Sequence, residues 1–225
     1  MFAVISLDFL STEVDGFEVY FTESFLITNE LKVFCVVTKG GLGDCLSMGR
    51  QLKCGKYLRK SMAKTVFIDR DGVINRRLID DWVKVWDEFE LLDGVPEALK
   101  SLKDAGFRLV LITNQRGIAV GKFTRETLDD THAKMNDLIS SKGGAAFDAI
   151  YVCPHDRHEN CGCRKPQPGM ILQAAQDYPD IVLADCVMFG DSESDRGAAE
   201  NAGCKGFYKI DEKHSLLDQV KSYLL

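Results

Sequence analysis

The sequence predicts an α/β fold over residues 62–225, a Rossmann-like parallel sheet with helices on both faces. Three observations predict it. Short apolar runs alternate with amphipathic stretches of helical period from Met62 onward. Glycine and proline punctuate the changes of period. Asp69, Thr113, Cys153 and Asp191 each fall at or just past the C-terminal end of one of the apolar runs. Strands separated by helices call for a parallel sheet covered on both faces. The carboxyl edge of such a sheet is where ligands bind.

Taken in order, Thr65–Ile68 is a buried strand that ends at Asp69. Val95–Ala105 is a helix with Pro96 in its first turn, an inner face of Val95, Leu99, Leu102 and Ala105, and Gly106 to end it. Phe107–Ile112 is a second strand. Thr124 caps a helix whose inner face carries Leu128, Met135, Leu138 and Ile139. Phe147–Val152 is a third strand, and Pro168 opens a helix running through Ala175. Cys186–Phe189 is a fourth strand, leading into Gly190 and Asp191. A helix to Ala202 stops at Gly203, and a strand at Gly206–Ile210 follows. The closing helix places Leu216, Leu217, Val220 and Leu224 inside.

Residues 1–61 do not share this rhythm. They offer a strand-like stretch at Leu31–Val37, then the glycine-rich Thr38-Lys39-Gly40-Gly41-Leu42-Gly43. That loop has neither the Gly-Lys-Ser/Thr ending of a phosphate loop nor the G-x-G-x-x-G spacing. The expectation is a loosely folded extension of unknown role, or residues lying upstream of a natural start at Met62.

The 225 residues carry a net charge of −6 and no block of like charge. That speaks against nucleic acid as partner, since backbone binders show basic surfaces. No apolar run approaches the ~20 residues that cross a bilayer, and no basic-then-apolar leader stands at Met1. A cytoplasmic protein acting on a small molecule, without a membrane partner, is expected.

Asp69-Arg70-Asp71-Gly72 places two carboxylates, two residues apart, on one side of a strand end. Such a pair can ligate Mg²⁺, a hard ion that prefers oxygen. With the metal screening its charge, one carboxylate can attack phosphorus while the other shuttles a proton. A calcium loop would need later ligands, including a Glu at its twelfth position, which the chain lacks. Asp191, after another strand, can add a metal carboxylate. Thr113, Asn114 and Gln115 offer a hydroxyl and amides to phosphoryl oxygens. Arg164 and Lys165 bring the fixed positive charge that stabilises a transferring phosphoryl group.

A second cluster is Cys153, His155, Cys161 and Cys163, three thiols and an imidazole within eleven residues. In a chain outside an oxidising compartment this spacing points to structural Zn²⁺ and not to disulfides. His158 reads as a solvated loop residue, and Cys186 and Cys204 as small apolar ones.

The order acid pair, Thr, Lys, acid, each between strand and helix, resembles the four motifs of the haloacid dehalogenase superfamily over about Lys64 to Ile210. The resemblance implies that Asp69 is the nucleophile and a Mg²⁺ ligand. It makes Asp71 the acid for the leaving alkoxide and then the base for water, with its carbonyl on the metal. Thr113 and Lys165 would hold the phosphoryl group, and Asp191 would complete the Mg²⁺ site. Asp195 would either support the lysine or metal waters, or serve as an N-terminal acid of its helix.

The C-x-H…C-x-C loop running into Arg164-Lys165-Pro166 is similar to the branch of that superfamily holding heptose-bisphosphate and histidinol-phosphate phosphatases. Thr113–Ala119, Gly121–Thr124 and Lys165–Met170 favour the former. What this implies is a capless phosphatase, a monomer, acting through an aspartyl-phosphate on a sugar bisphosphate. Arg116 and Arg164 are then available for the second phosphate. The rival substrates are histidinol phosphate and a polynucleotide 3′-phosphate. A zinc scaffold without catalysis is disfavoured because Asp69, Asp71, Lys165 and Asp191 are all present.

Overall fold

The computed structural model describes residues 64–79 and 81–225 in full, together with the backbone of short strands between residues 10 and 52. The chain divides into two units, Met1–Met62 and Ala63–Leu225.

In the first unit the backbone forms β1 (Leu10–Val14), β2 (Phe17–Glu23), β3 (Phe34–Thr38), β4 (Gly41–Leu42), β5 (Cys45–Ser47) and β6 (Arg50–Leu52). They pair antiparallel in the order β1-β2-β3-β5-β6, with β4 beside β3. Sequence pattern alone singles out one strand, at Leu31–Val37; it lies at β3, and five others join it. The alternation Phe17, Val19, Phe21 against Glu18 and Thr22 is the period-two signal that marks β2. Within the glycine-rich stretch β3 and β4 pair antiparallel, with Thr38 opposite Gly41. A phosphate loop would instead lead from a strand into a helix.

In the second unit five parallel strands, β7 (Thr65–Ile68), β8 (Arg108–Asn114), β9 (Ala149–Cys153), β10 (Val187–Gly190) and β11 (Gly206–Lys209), lie in the order β11-β10-β7-β8-β9. The helices are α1 (Val95–Asp104), α2 (Arg125–Ser141), α3 (Gly169–Asp177), α4 (Glu193–Ala202) and α5 (Leu216–Leu224). The expected elements are all present, with ends displaced by up to about two residues, which is ordinary for helix and strand termini.

The strands alternate as the pleat requires. Val66, Ile68, Leu109, Leu111, Val187 and Phe189 face one core, with Leu99 and Leu102 of α1, Met135 and Ile139 of α2, and Leu216 and Val220 of α5. Phe67, Val110, Ile112 and Met188 face the other, with Met170, Ile171 and Ala174 of α3 and Ala198, Ala199 and Ala202 of α4. The three alanines let α4 approach the sheet closely. Each large side chain buried here stabilises the fold by ~1.5–3 kcal/mol. Two expectations fail. Ala105 is exposed, because α1 ends at Asp104 and Ala105 is its C-cap, and Leu224, in the last turn of α5, lies 38% exposed. Among the described residues no helix is long and apolar enough to cross a membrane.

The consequence for function is positional. β7 is the middle strand, flanked by β8 and β10, and chain order reverses direction between β7 and β10. Residues just beyond β7, β8 and β10 therefore meet in the crevice at the switch point.

Candidate active site

Asp69 follows β7 and is 7% exposed. Its Oδ1 accepts from the main-chain N–H of Arg70 at 2.7 Å and pairs with Lys165 Nζ at 2.6 Å. Lys165 is buried and fully engaged, also meeting Asp195 at 2.6 Å and donating to the carbonyl of Ile112 at 3.0 Å. Burial pushes Asp69 up to about 7, and the neighbouring Asp195 and Asp71 add to it, while Lys165 opposes the rise. For Lys165 burial works against the charge, but Asp69 and Asp195 outweigh it and raise its pKa.

Asp195 settles the open alternative by doing both jobs. Its Oδ2 accepts from Ser192 N–H and Oγ at 2.9 and 2.6 Å, as the N3 acid of the α4 capping box, while Oδ1 faces Lys165. Gly190 lets this happen, since a Cβ there would stand 2.5 Å from that of Asp195.

Asp191 lies beyond β10 and pairs with Arg77 at 3.0 Å. Lys209 of β11 donates to its main-chain carbonyl. Oxygens of Asp69, Asp191 and Asp195 come within 4.8 Å of one another, a carboxylate set suited to a hard cation. Gly72, at φ +89°, makes room for it: a Cβ would stand 2.2 Å from Asp191 Oδ2. With Asp195 committed to Lys165 and Ser192, Asp69 and Asp191 are the carboxylates left for a metal.

Asp71 turns into a cradle of donors. Arg70 Nη2 reaches both its oxygens at 2.9 and 3.0 Å, Asn75 Nδ2 donates to Oδ1 at 3.0 Å, and Gln115 Nε2 donates to Oδ2 at 2.9 Å. Burial pushes its pKa up, but Arg70 and these hydrogen bonds outweigh it and hold the carboxyl below its usual range. Arg70 Nη1 in turn meets His132 Nε2 at 3.2 Å. Burial and the Arg70 charge lower His132 to about 3, so the imidazole is neutral.

Two side chains expected to contact substrate are also held by the protein itself: Gln115 lies away from the cavity lining, whereas Asn114 is part of it. Gln115 is fully buried, and its amide donates to Asp71 and to Thr113 Oγ1, the latter at 2.8 Å. Asn114 spends both ends of its amide on the main chain of Lys165, at 3.1 and 3.2 Å. Both hold neighbouring residues of the candidate site, Asp71, Thr113 and Lys165, in place. Thr113, Arg116 and Arg164 line a cavity of about 530 Å³ together with Asp69, Asp71, Lys165 and Asp191. Arg116 is anchored to Asp156 at 2.6 Å, which joins the turn after β8 to the cysteine loop.

Sequence reasoning missed Arg77 and Arg157, which also line the cavity, and His132. Lone arginines in loops carry no periodicity that could reveal them. His132 did leave a signal, since it stands at helical spacing from Leu128, Met135 and Ile139 on the buried face of α2.

The cysteine loop brings Cys153, His155, Cys161 and Cys163 together, with ligand atoms within 4.8 Å of one another. Cys153 and Cys161 sulfurs are 3.7 Å apart, and His155 Nδ1 is 3.7 Å from Cys153 and 3.2 Å from Cys163. A tetrahedron with metal–sulfur bonds of ~2.3 Å has edges of ~3.7 Å, so the set has the size and chemistry to hold zinc. Burial pushes the Cys153 thiol up to about 12, so an adjacent cation is needed for it to ionise. His158 lies in the short 3-10 turn Arg157–Glu159, outside the cluster.

The family model of haloacid dehalogenase-like hydrolases matches residues 69–203. A D-glycero-beta-D-manno-heptose-1,7-bisphosphate 7-phosphatase of Vibrio cholerae is 45% identical over 150 residues, covering 63% of this chain and 78% of that protein. A D-glycero-alpha-D-manno-heptose-1,7-bisphosphate 7-phosphatase of Mycobacterium bovis is 39% identical over 136 residues, covering 60% and 71%. The crystal structure of the D,D-heptose 1,7-bisphosphate phosphatase of B. bronchiseptica, complexed with magnesium and phosphate, superposes with a TM-score of 0.65 at 36% identity. It covers 72% of this chain and 98% of its own.

Proposed function

This chain belongs to the haloacid dehalogenase-like hydrolase family, and from that premise we propose that it removes the C7 phosphate of D-glycero-D-manno-heptose 1,7-bisphosphate through a phosphoryl-enzyme on Asp69. Relatives of that activity at about 40% identity and the magnesium-bearing structural neighbour support both the phosphatase chemistry and the cation. Mg²⁺ would be held by Asp69, Asp191 and the carbonyl of Asp71, and it supplies positive charge that lets an anionic nucleophile approach an anionic phosphate.

The protein's own groups do the rest. Lys165 and Thr113 bracket the phosphoryl oxygens beside Asp69. Asp69 attacks phosphorus, and the leaving oxygen takes a proton from Asp71, which must acquire it as the anionic phosphate binds beside it, against the pull of Arg70 that keeps the free carboxyl ionised. Asp71, then a carboxylate, takes a proton from the water that releases phosphate. The Cys153, His155, Cys161, Cys163 set would hold Zn²⁺ and so fix the approach of Arg164 and Lys165, which follow Cys163 directly. A cytoplasmic monomer needing neither nucleic acid nor a membrane completes the proposal.

One observation favours the sugar bisphosphate over histidinol phosphate. Arg157 and Arg164 line the cavity with no carboxylate in ion-pair contact among the described residues. Two uncompensated guanidiniums attract a second phosphate and repel the cationic amine of histidinol. Phosphate release measured in parallel on the heptose bisphosphate, histidinol phosphate and a 3′-phosphorylated oligonucleotide tests this. Preference for either of the last two would overturn the substrate assignment while leaving the chemistry standing.

A further inference from the structure

Arg70 lies between the two carboxylates of the acid pair and touches both. Its main-chain N–H donates to Asp69, and its guanidinium grips Asp71 through Nη2 and through Nε at 3.2 Å. Its carbonyl also accepts from the N–H groups of Val73, Ile74 and Asn75, closing the loop that carries the pair. The side chain is only 1% exposed. A guanidinium is tolerated at such depth only when its donors are used. Nη1, pointing away from Asp71, has its hydrogen-bond partner among the described residues in His132. Helix α2 supplies that imidazole from 62 residues away, itself 4% exposed. Because the imidazole is neutral, Nε2 can present a lone pair, and the proton sits on Nδ1.

We infer that Arg70 and His132 are positioning residues for proton transfer, with His132 anchoring Arg70 and Arg70 setting where the Asp71 carboxyl stands. This rests on Asp71 being the general acid, as proposed above. When Asp69 forms its bond to phosphorus, the old P–O bond breaks and its electron pair stays on the leaving oxygen. An alkoxide must take the Asp71 proton as it leaves. A nitrophenolate is stable without it. Misplacing Asp71 therefore slows the first kind of substrate and spares the second.

The test compares kcat/KM, which covers steps up to phosphorylation of Asp69, on heptose 1,7-bisphosphate and on p-nitrophenyl phosphate. Three variants are needed: His132→Leu, His132→Gln and Asp71→Asn. General acids contribute ~10²- to 10⁴-fold, so His132→Leu is expected to lose about tenfold or more on the sugar substrate and under about threefold on the aryl one. His132→Gln keeps an acceptor for Nη1 and should recover most of that loss. Equal losses on both substrates, or none, in a protein where Asp71→Asn is selective would overturn the role of His132 alone. Should His132→Leu fail to fold, a His132→Gln protein with equal losses on both substrates, or none, overturns that role in its place. An Asp71→Asn protein without leaving-group selectivity would instead overturn the acid assignment, and this inference with it.

Discussion

Arg77 and Asp191 form an ion pair of 3.0 Å on the carboxylate proposed above as a magnesium ligand. The arginine is 61% exposed and the aspartate 15%, so the pair is a surface clasp over a sheltered ligand. Mg²⁺ must compete with it. Exposed pairs are worth ~0.2–1 kcal/mol. Arg77→Ala is therefore expected to tighten metal binding by roughly two- to fivefold, read by titrating the protein with Mn²⁺ as a spectroscopic substitute. Weaker binding in that variant would mean that Arg77 helps the metal.

Asp69→Asn removes the attacking charge with little change of volume. Turnover is expected to fall by at least about a thousandfold, as for other nucleophiles, with an unchanged circular dichroism spectrum. A folded variant that releases phosphate at even a tenth of the normal rate would end the covalent mechanism.

In the proposed site, magnesium and a proton compete for Asp69. Burial lifts this group from 3.8 to about 7 in the metal-free protein, so the folded state holds a proton that the unfolded chain has already released. Its contribution to stability is thus full below about pH 4 and lost as pH rises to 7, the sign linkage requires for a raised pKa. Mg²⁺ binds the ionised form, and its affinity should drop ~tenfold per unit below that pKa. The rise in melting temperature caused by millimolar Mg²⁺ should be larger at pH 8 than at pH 6. An equal rise at both would show that Asp69 is ionised throughout.

Cys161→Ser should release about one zinc per chain and lower activity with it, because the loop that carries Cys163 leads straight to Lys165. Elemental analysis of the variant and the parent checks the first part, and phosphate release the second. A parent protein free of zinc, with cysteines that titrate as free thiols, would mean that the loop holds no metal.

A chain beginning at Met62 should keep its phosphatase activity within about twofold, since the described site is built entirely from residues of the second unit. An insoluble or inactive product would assign residues 1–61 a part in folding or catalysis.

The catalytic edge was legible in the sequence for a physical reason. Continuous apolar runs, buried on both faces of the sheet, mark where strands end, and Asp69, Thr113 and Asp191 are tied to those ends by one or two peptide bonds. What lay beyond reach was direction. Asn114 and Gln115 follow Thr113 and look equally able to bind phosphate, yet one amide turns to the Lys165 main chain and the other to the Asp71 carboxylate. Which way each points depends on partners about 40 to 50 residues distant. Arg77 and Arg157 are set by loop paths, which carry no repeat. His132 was the readable exception, a polar residue on an apolar face that had to have a buried partner.

The buried Lys165 ammonium is ion-paired with Asp69 and Asp195 and donates to the Ile112 carbonyl. Reagents that acylate amines need a free lone pair and open access, and Lys165 offers neither. Mild treatment with acetic anhydride should mark the surface lysines and leave this one bare. Peptide mapping would then find the catalytic amine as a gap in the labelling pattern, without substrate or inhibitor to protect it.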